Sequence, residues 1–512
     1  MMRIAFRTDS SALIGTGHLM RCLTLADELA RRGHEVLFVC RELEGSISVL
    51  VRERGHRCNM LPAPTAFSAT MPVGEDAPGH SAWLGVSQDL DAMQTIAALG
   101  NTGPLEWLIV DHYALDAHWE RALRGRCKRL MVIDDLADRP HECDLLLDQN
   151  LYLEMEHRYE GLLPGTCSSL LGPRFALLRP TFARKRRELR AQSGEVRRIL
   201  VFFGGIDAEN ETMKALEAIS HIDDARLTVD VVVGASNPHR ETLQEYCADR
   251  PAIRLHVQTE RIAELMRVAD LAIGAGGVAT WERCATGLPT IAWPLADNQR
   301  AVISAAADFG ALYAPDLTAV GSADDLQRHI NALLHSSHLR RHIGMRAASL
   351  CDGHGTRRVA EVLAPIVVNL RNATICDCEH VYRWRNHPSI RLASVNSEPI
   401  PYETHKAWFE RTLVDPSKAL LIAEHDNSLE GVLRYDFEGN IAIVSLYLVP
   451  KRAGKGIGSA MLLAGESWLR EKHPEIEQVQ AVVLDANDSS KALFEKSGYL
   501  RRQVVYEKVC KK

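Results

Sequence analysis

Residues Gly274–Gln299 read GAGGVATWERCATGLPTIAWPLADNQ, and this stretch decides the fold of the chain. A short apolar run, Leu271-Ala272-Ile273, precedes the glycines and has strand character. Val278, Trp281 and Ala285 then recur on one helical face, Gly287 stands where that helix stops, and Thr290–Trp293 is a second strand. Strand, glycine turn, helix and strand make a βαβ unit that presents bare backbone N–H groups at a helix N-terminus. Such a terminus favours anions, nucleotide phosphates above all. Gly276 and Gly277 would leave the backbone accessible, and Glu282, about one turn in, could accept hydrogen bonds from ribose hydroxyls. A structural glycine turn with an exposed glutamate fits the same residues.

Outward from this unit, the 512 residues have room for about three domains. Apolar residues make up 46% and charged residues 25%, the balance of a globular protein. A net charge of -6 gives no electrostatic ground for a nucleic-acid partner. No apolar run approaches the roughly 20 residues of a membrane span, and no secretory signal opens the chain, so no membrane association is expected. The twelve cysteines are scattered with no CxxC spacing, which fits a reducing cytoplasm and gives no metal-ligand pattern.

Towards the N-terminus, Arg3–Phe6 is a strand, Arg7–Gly17 a loop, and Leu19, Leu23, Ala26 and Ala30 mark a helix ending at Gly33. Glu35–Cys40 is the next strand. His18 sits at the helix start beside Gly15, Gly17 and Arg21. There the dipole disfavours the imidazolium, and a neutral ring can handle an attacking water. Pro62–His80 reads as an irregular insertion. Strands Trp107–Val110 and Leu130–Ile133 end in Asp111-His112-Tyr113 and Asp134-Asp135, at the carboxyl ends where open α/β sheets hold ligands. The residues that invite a mechanism are His18, Asp111 and Tyr113, with Asp9 and Arg21 nearby.

A basic linker segment, Arg179–Arg190, separates this half from a second α/β unit that opens with Arg198–Phe203 and Gly204-Gly205, with a helix from about Thr212. Leu227–Val233 and Ala269–Ile273 continue that unit. After Gly355 a helix runs to about Pro365. The character then changes: Val367–Ala373, Ala419–Glu424, Gly431–Asp436 and Ile441–Val449 form strands, the last three an antiparallel meander. A glycine-bearing loop, Arg452–Gly458, opens a helix through Arg470, and strands Gln480–Leu484 and Gln503–Lys508 close the chain. The expected boundaries are 1–190, 191–365 and 366–512.

Several strings carry family resemblances. GAGGVATWER resembles the nucleotide-sugar site of GT-B-fold proteins. Together with RTDSSALIGTGHLMRCLTLADEL, HSAWLGVSQDLDA, VDHYALD and VIDDLADRPHECDLLLDQN, over roughly residues 3 to 360, it is similar to the UDP-2,4-diacetamido-2,4,6-trideoxy-β-L-altropyranose hydrolases of pseudaminic acid biosynthesis. That resemblance implies a GT-B-like pair of Rossmann-type domains with UDP-sugar between them. His18 would handle the attacking water, and Tyr113 would line the sugar pocket. Gly204, Gly205, Gly276, Gly277 and Glu282 would hold the nucleotide, Asn298 and Gln299 would bind sugar or diphosphate, and UDP would leave with inversion.

The loop Arg452–Gly458 resembles the pyrophosphate loop of GNAT N-acetyltransferases, with acetyl-CoA as co-substrate and an α+β fold. The family pattern Gln/Arg-x-x-Gly-x-Gly/Ala falls on Ala453, Gly456 and Gly458, so alanine stands at its first position. Leu448, Ala453, Gly454, Lys455, Gly456, Ile457, Gly458, Asn487 and Ser490 are the implied cofactor contacts. LRNATICDCEHVYRWRNHPSIR with His405 and Trp408-Phe409 looks like the enzyme that acetylates the 4-amino group of the UDP-linked amino sugar in the same pathway. Phe494 stands where many relatives place a tyrosine acid, which leaves Tyr499 or water for that role, or an inactive domain. A GT-B glycosyltransferase with an accessory or inactive acyl-CoA-binding domain is the alternative. The oligomeric state is not legible.

Overall fold

The structure is a computed structural model that describes residues 1–64, 79–100, 103–184, 194–315, 322–394, 396–425, 428–452 and 456–502. The chain divides into two compact units, Met1–Ala364 and Pro365–Lys512.

The N-terminal unit holds two parallel sheets. The first comprises β1 (Arg3–Thr8), β2 (Glu35–Arg41), β3 (Arg57–Leu61), β4 (Leu105–Asp111), β5 (Cys127–Ile133), β6 (Leu145–Asp148) and β7 (Ser168–Leu171), in the order β3-β2-β1-β4-β5-β6-β7. The second comprises β8 (Arg198–Phe202), β9 (Thr228–Val233), β10 (Ile253–Val257), β11 (Leu271–Ala275) and β12 (Thr290–Trp293), in the order β10-β9-β8-β11-β12. Both central strands are buried on both faces. Ile4 and Phe6 pack with Leu19, Leu23 and Ala26 of the helix Gly17–Arg31, and Ala5 packs on the opposite side with Leu108 and Trp119. Burial on both faces is what makes such strands read as continuous apolar runs.

The strand order reverses between β1 and β4 in the first sheet and between β8 and β11 in the second. These are the topological switch points, where loops diverge and leave a crevice at the carboxyl ends of the strands. The loop carrying His18 follows β1 and Asp111 ends β4; Gly204 follows β8 and Gly276 follows β11. The helix Gly355–Leu363 packs on the first sheet. Val359, Ala360 and Leu363 join the core beneath Gly17–Arg31, and Trp107 Nε1 donates to the Leu363 carbonyl at 2.9 Å.

The C-terminal unit has one five-stranded sheet, β13 (Asn369–Asn372), β14 (Lys418–His425), β15 (Ser428–Glu438), β16 (Ile441–Leu448) and β17 (Gln478–Ala481), in sequential order. All neighbours are antiparallel except β16 and β17. Alternation along β14 covers both faces. Leu420 and Ile422 meet Val381 and Phe409 of the helices Cys378–Arg385 and Tyr402–Val414, while Leu421 and Ala423 meet Met461 and Leu462 of the helix Ile457–Lys472.

A pair of Rossmann-type α/β domains followed by an α+β acetyltransferase-type domain is the expected fold class. Some local expectations shift. The strand expected at Gln480–Leu484 lies at Gln478–Ala481, because its pairing with β16 ends at Val444 opposite Ala481, and Val482 is exposed. The strand expected at Val367–Ala373 is shorter, Asn369–Asn372. Of the basic segment, Pro180–Arg184 is helical, and its continuation to Arg190 lies outside the described residues. The same holds for most of the Pro62–His80 insertion and for Gln503–Lys508. Among the described residues no helix is long and apolar enough to cross a membrane.

Candidate active site

The residues His18 and Asp111 come together because β1 and β4 are neighbours. Thr8 pairs with Asp111, and the side chain of Asp111 points to the face covered by Gly17–Arg31. His18 Nδ1 lies 2.5 Å from Asp111 Oδ1. Arg21, one turn further along the same helix, donates to Asp111 through Nε and Nη2, both at 2.6 Å. Asp111 is fully buried. Burial opposes its ionisation, but the Arg21 guanidinium and then His18 outweigh it and hold the carboxyl well below the usual range. An ionised carboxylate only accepts, so the proton in this contact sits on His18 Nδ1, and the lone pair of the neutral ring is on Nε2.

Aromatic rings enclose this pair. Tyr113 meets His18 edge-on with ring centres 4.5 Å apart and stacks on Trp83 at 5.5 Å. The Tyr113 hydroxyl donates to Asp135 Oδ1. Burial, then the Asp135 charge, raises its pKa well above the ordinary value, so it remains a donor at neutral pH. Asp135 also receives Arg21 Nη1 at 3.2 Å and Asn150 Nδ2 at 3.0 Å. Nearby Asp148 is pushed up to about 8 by burial and then by the charge of Asp135; it accepts from the Asn150 backbone N–H at 2.9 Å and from the Tyr159 hydroxyl at 3.2 Å.

One cleft is lined from both lobes. Ile14, Gly17, His18, Arg21, Trp83, Tyr113, Asp135, Gln149 and Asn150 come from the first, and Gly277, Val278, Asn298, Gln299 and Val302 from the second. Gly277, at φ +85°, starts the helix Val278–Ala285 in a conformation that a side chain would strain. A Cβ on Gly276 would fall 2.9 Å from Gln299 Oε1, so the glycine lets the glycine turn and the helix Asp297–Asp308 approach each other. Two helix N-termini therefore open on the wall facing His18.

The structure thus brings together Gly17, His18, Arg21, Tyr113, Gly277, Asn298 and Gln299, with Asp111 beneath them. Gly204, Gly205 and Glu282 lie outside this lining, at the end of β8 and on the second turn of Val278–Ala285. Glu282 is half-buried, and no described donor reaches its carboxylate. Burial pushes it up to about 7, against the pull of Arg179 and Arg283. Asp9 does not join the cleft. It points to the opposite sheet face, where it accepts from the Arg41 amide at 2.6 Å and pairs with Arg7 at 2.7 Å. Trp83, Gln149 and Asn150 carry no role in the sequence reading, which places Asp135 only at a ligand-holding strand end. The polar ends of β5 and β6 were the available signal.

In the C-terminal unit, β16 runs on to Leu448 after its pairing with β17 has stopped at Val444. The two parallel strands therefore part at their carboxyl ends. Gly456, left-handed at φ +88°, starts the helix Ile457–Lys472, and a Cβ on Gly458 would meet Leu493 at 3.3 Å. Asn487 caps the helix Asp488–Lys496 by accepting from the Ser490 amide at 3.1 Å. Ala453, Gly454 and Lys455 lie outside the described residues. Phe494 is nearly buried and meets Tyr499 edge-on at 5.0 Å.

Residues 379–499 match the acetyltransferase (GNAT) family. The chain is 27% identical over 269 residues to the UDP-2,4-diacetamido-2,4,6-trideoxy-beta-L-altropyranose hydrolase of Campylobacter jejuni, covering 52% of this chain and 83% of that one. It is 23% identical to an uncharacterized protein of Methanocaldococcus jannaschii over 97% of this chain and 96% of the relative, an alignment that spans both units. Acinetobacter baumannii MurG is a structural neighbour at 14% identity and a TM-score of 0.49, over 71% of this chain and 99% of its own. The resemblances read from the sequence are matched, to the hydrolases by the Campylobacter jejuni relative and to the acetyltransferases by the GNAT family.

Proposed function

We propose that the chain is a bifunctional enzyme of amino-sugar nucleotide metabolism. Its C-terminal unit transfers an acetyl group from acetyl-CoA to the 4-amino group of a UDP-linked amino sugar. Its N-terminal unit hydrolyses the product, UDP-2,4-diacetamido-2,4,6-trideoxy-β-L-altropyranose, to UDP and free sugar. The observation that carries the reading is His18, with Nδ1 committed to Asp111, facing two helix N-termini across one cleft.

In the hydrolysis, His18 Nε2 takes a proton from water as the water oxygen bonds to the anomeric carbon. The bond from that carbon to the diphosphate oxygen breaks, and its electron pair leaves on UDP. Asp111 meets the charge that forms on the imidazolium, and Arg21 keeps Asp111 ionised. The departing diphosphate faces the N–H groups at the starts of Val278–Ala285 and Asp297–Asp308, with Asn298 and Gln299 beside it. Glu282 accepts from the ribose hydroxyls, and Gly204 and Gly205 flank the nucleotide. Attack from the face opposite the leaving group inverts the anomeric centre.

For the acetyl transfer, the opening between β16 and β17 fits an extended pantetheine arm, and the start of Ile457–Lys472 fits a pyrophosphate. Leu448, Ala453 to Gly458, Asn487 and Ser490 would hold the acetyl donor, whose thioester supplies the activated acyl group. Incubating the full chain with the UDP-4-amino sugar and acetyl-CoA, followed by NMR, tests both steps. The expected products are the N-acetylated nucleotide sugar, then UDP and free sugar of inverted configuration. UDP release that requires a sugar acceptor would make the N-terminal unit a glycosyltransferase. Absence of N-acetylation would remove the first step.

A further inference from the structure

Asn150 follows β6, and its side chain joins the two lobes of the N-terminal unit. Trp281 Nε1, from the second lobe, donates to Asn150 Oδ1 at 2.9 Å, and Asn150 Nδ2 donates to Asp135 Oδ2 at 3.0 Å. Asp135 in turn receives Arg21 and the Tyr113 hydroxyl. These two side chains flank His18: Arg21 Nη2 lies 3.3 Å from its Nδ1, and Tyr113 meets its ring edge-on. A continuous line of hydrogen bonds therefore runs from the helix Val278–Ala285 to the groups around His18.

The amide of Asn150 suits both ends of this line and fits only one way round. Reversed, its carbonyl would face a carboxylate and its NH2 an indole N–H, and neither contact is a hydrogen bond. The adjoining segment leans the same way. Leu151 and Tyr152 pack against the second-lobe core that contains Trp281, while the Tyr152 hydroxyl donates to the Asp135 carbonyl at 2.8 Å. Trp281 is fully buried one turn beyond Gly277, so where that helix sits is registered at Asp135.

We infer that Asn150 is a positioning residue that ties the helix beginning at Gly277 to Asp135, so that Arg21, Tyr113 and His18 hold their working arrangement only while the lobes are joined there. Its effect on rate rests on the hydrolase reading; the coupling itself does not.

In the full chain, Asn150→Ala and Trp281→Phe should each lower kcat for UDP release on the order of 10-fold to 100-fold, the scale of a small misplacement of reacting groups. KM should move by less than about threefold, and the double variant should be no slower than the worse single one, because both cut the same line. Multiplying effects would overturn the inference. Asn150→Asp keeps the shape but sets a second carboxylate beside Asp135; the added negative charge near His18 favours the protonated ring, so the acid limb of the pH–rate profile should move up. An unmoved limb would count against the inference. A readout without turnover is the His18 imidazole resonance on titration with UDP. Its shift in the wild type should largely vanish in Asn150→Ala, and a shift that persists unchanged refutes the coupling. A wild type that releases no UDP removes the hydrolase reading alone and leaves this titration to decide.

Discussion

His18 and Asp111 are 93 residues apart in sequence and 2.5 Å apart in space, joined because β1 and β4 are neighbours at the point where the first sheet reverses its strand order. Replacing His18 by alanine should leave UDP binding nearly intact and lower hydrolysis by about two orders of magnitude or more, the scale of a lost general base. Stopped assays of UDP release beside calorimetry of UDP binding check this. Near-normal turnover would remove His18 from the mechanism.

Asp111→Asn tests the tautomer. The amide no longer demands a proton on His18 Nδ1, and Arg21 loses one of its two carboxylate partners, keeping Asp135. Hydrolysis should fall further than in a variant that perturbs only the cleft wall, such as Asn298→Ala. The folded-state pKa of Asp111 is depressed, so its ionised form stabilises the fold above the unfolded value near 4, and that contribution is lost as pH falls through the folded value. Acid unfolding below about pH 4 should therefore be shallower in Asp111→Asn than in the wild type.

Asp148 has the opposite sign. Its folded pKa is raised to about 8 by burial and by Asp135, so the folded state holds a proton that the unfolded chain gives up near pH 4. The stability from this group is full below pH 4 and declines as pH rises to about 8. Asp148→Asn should flatten the fall in melting temperature between pH 5 and pH 8. An unchanged slope would show that Asp148 ionises normally.

Glu282→Ala should weaken UDP binding by about 1.5–3 kcal/mol, the size of hydrogen bonds to a charged group. Because burial pushes Glu282 up to about 7, ionisation near neutrality should strengthen its grip on ribose hydroxyls. UDP affinity in the wild type should rise from pH 6 to pH 8, and Glu282→Gln should abolish that rise. Equal affinities across the range in both proteins would make Glu282 an ordinary helical residue.

Phe494→Tyr places a hydroxyl at the position where the acetyltransferase resemblance implies a tyrosine acid. If thiolate protonation limits turnover, acetyl transfer by the variant should exceed that of the wild type at high pH. Phe494 packs nearly buried against Tyr499, so a drop in melting temperature without a gain in rate would show the position to be one of packing only.

Much of the frame was legible because it is local. Glycine turns after strands, a histidine at a helix start and aspartates at strand ends each lie within a few residues of the element that gives them meaning. Two parallel α/β sheets follow from such units, and with them the cleft. What escaped depends on long-range pairing. Asn150 matters through Trp281, 131 residues away, and Asp135 through Arg21, 114 residues away; no periodicity announces either. Asp9 misled for a related reason. Adjacent to the His18 loop in sequence, it shares the sheet face of Arg7 and Ala5, and so turns to Arg41 and His112 on the side away from His18.

The helix Gly355–Leu363 returns to the first lobe after the chain has completed the second, and Trp107 reaches up to hold its last turn. A fragment cut before the second lobe would leave the first with a bare apolar stripe along Gly17–Arg31, the helix that carries His18. Dividing this chain into working pieces therefore allows one cut, after Ala364, and proteolysis elsewhere in the N-terminal unit should leave fragments that remain associated until denatured.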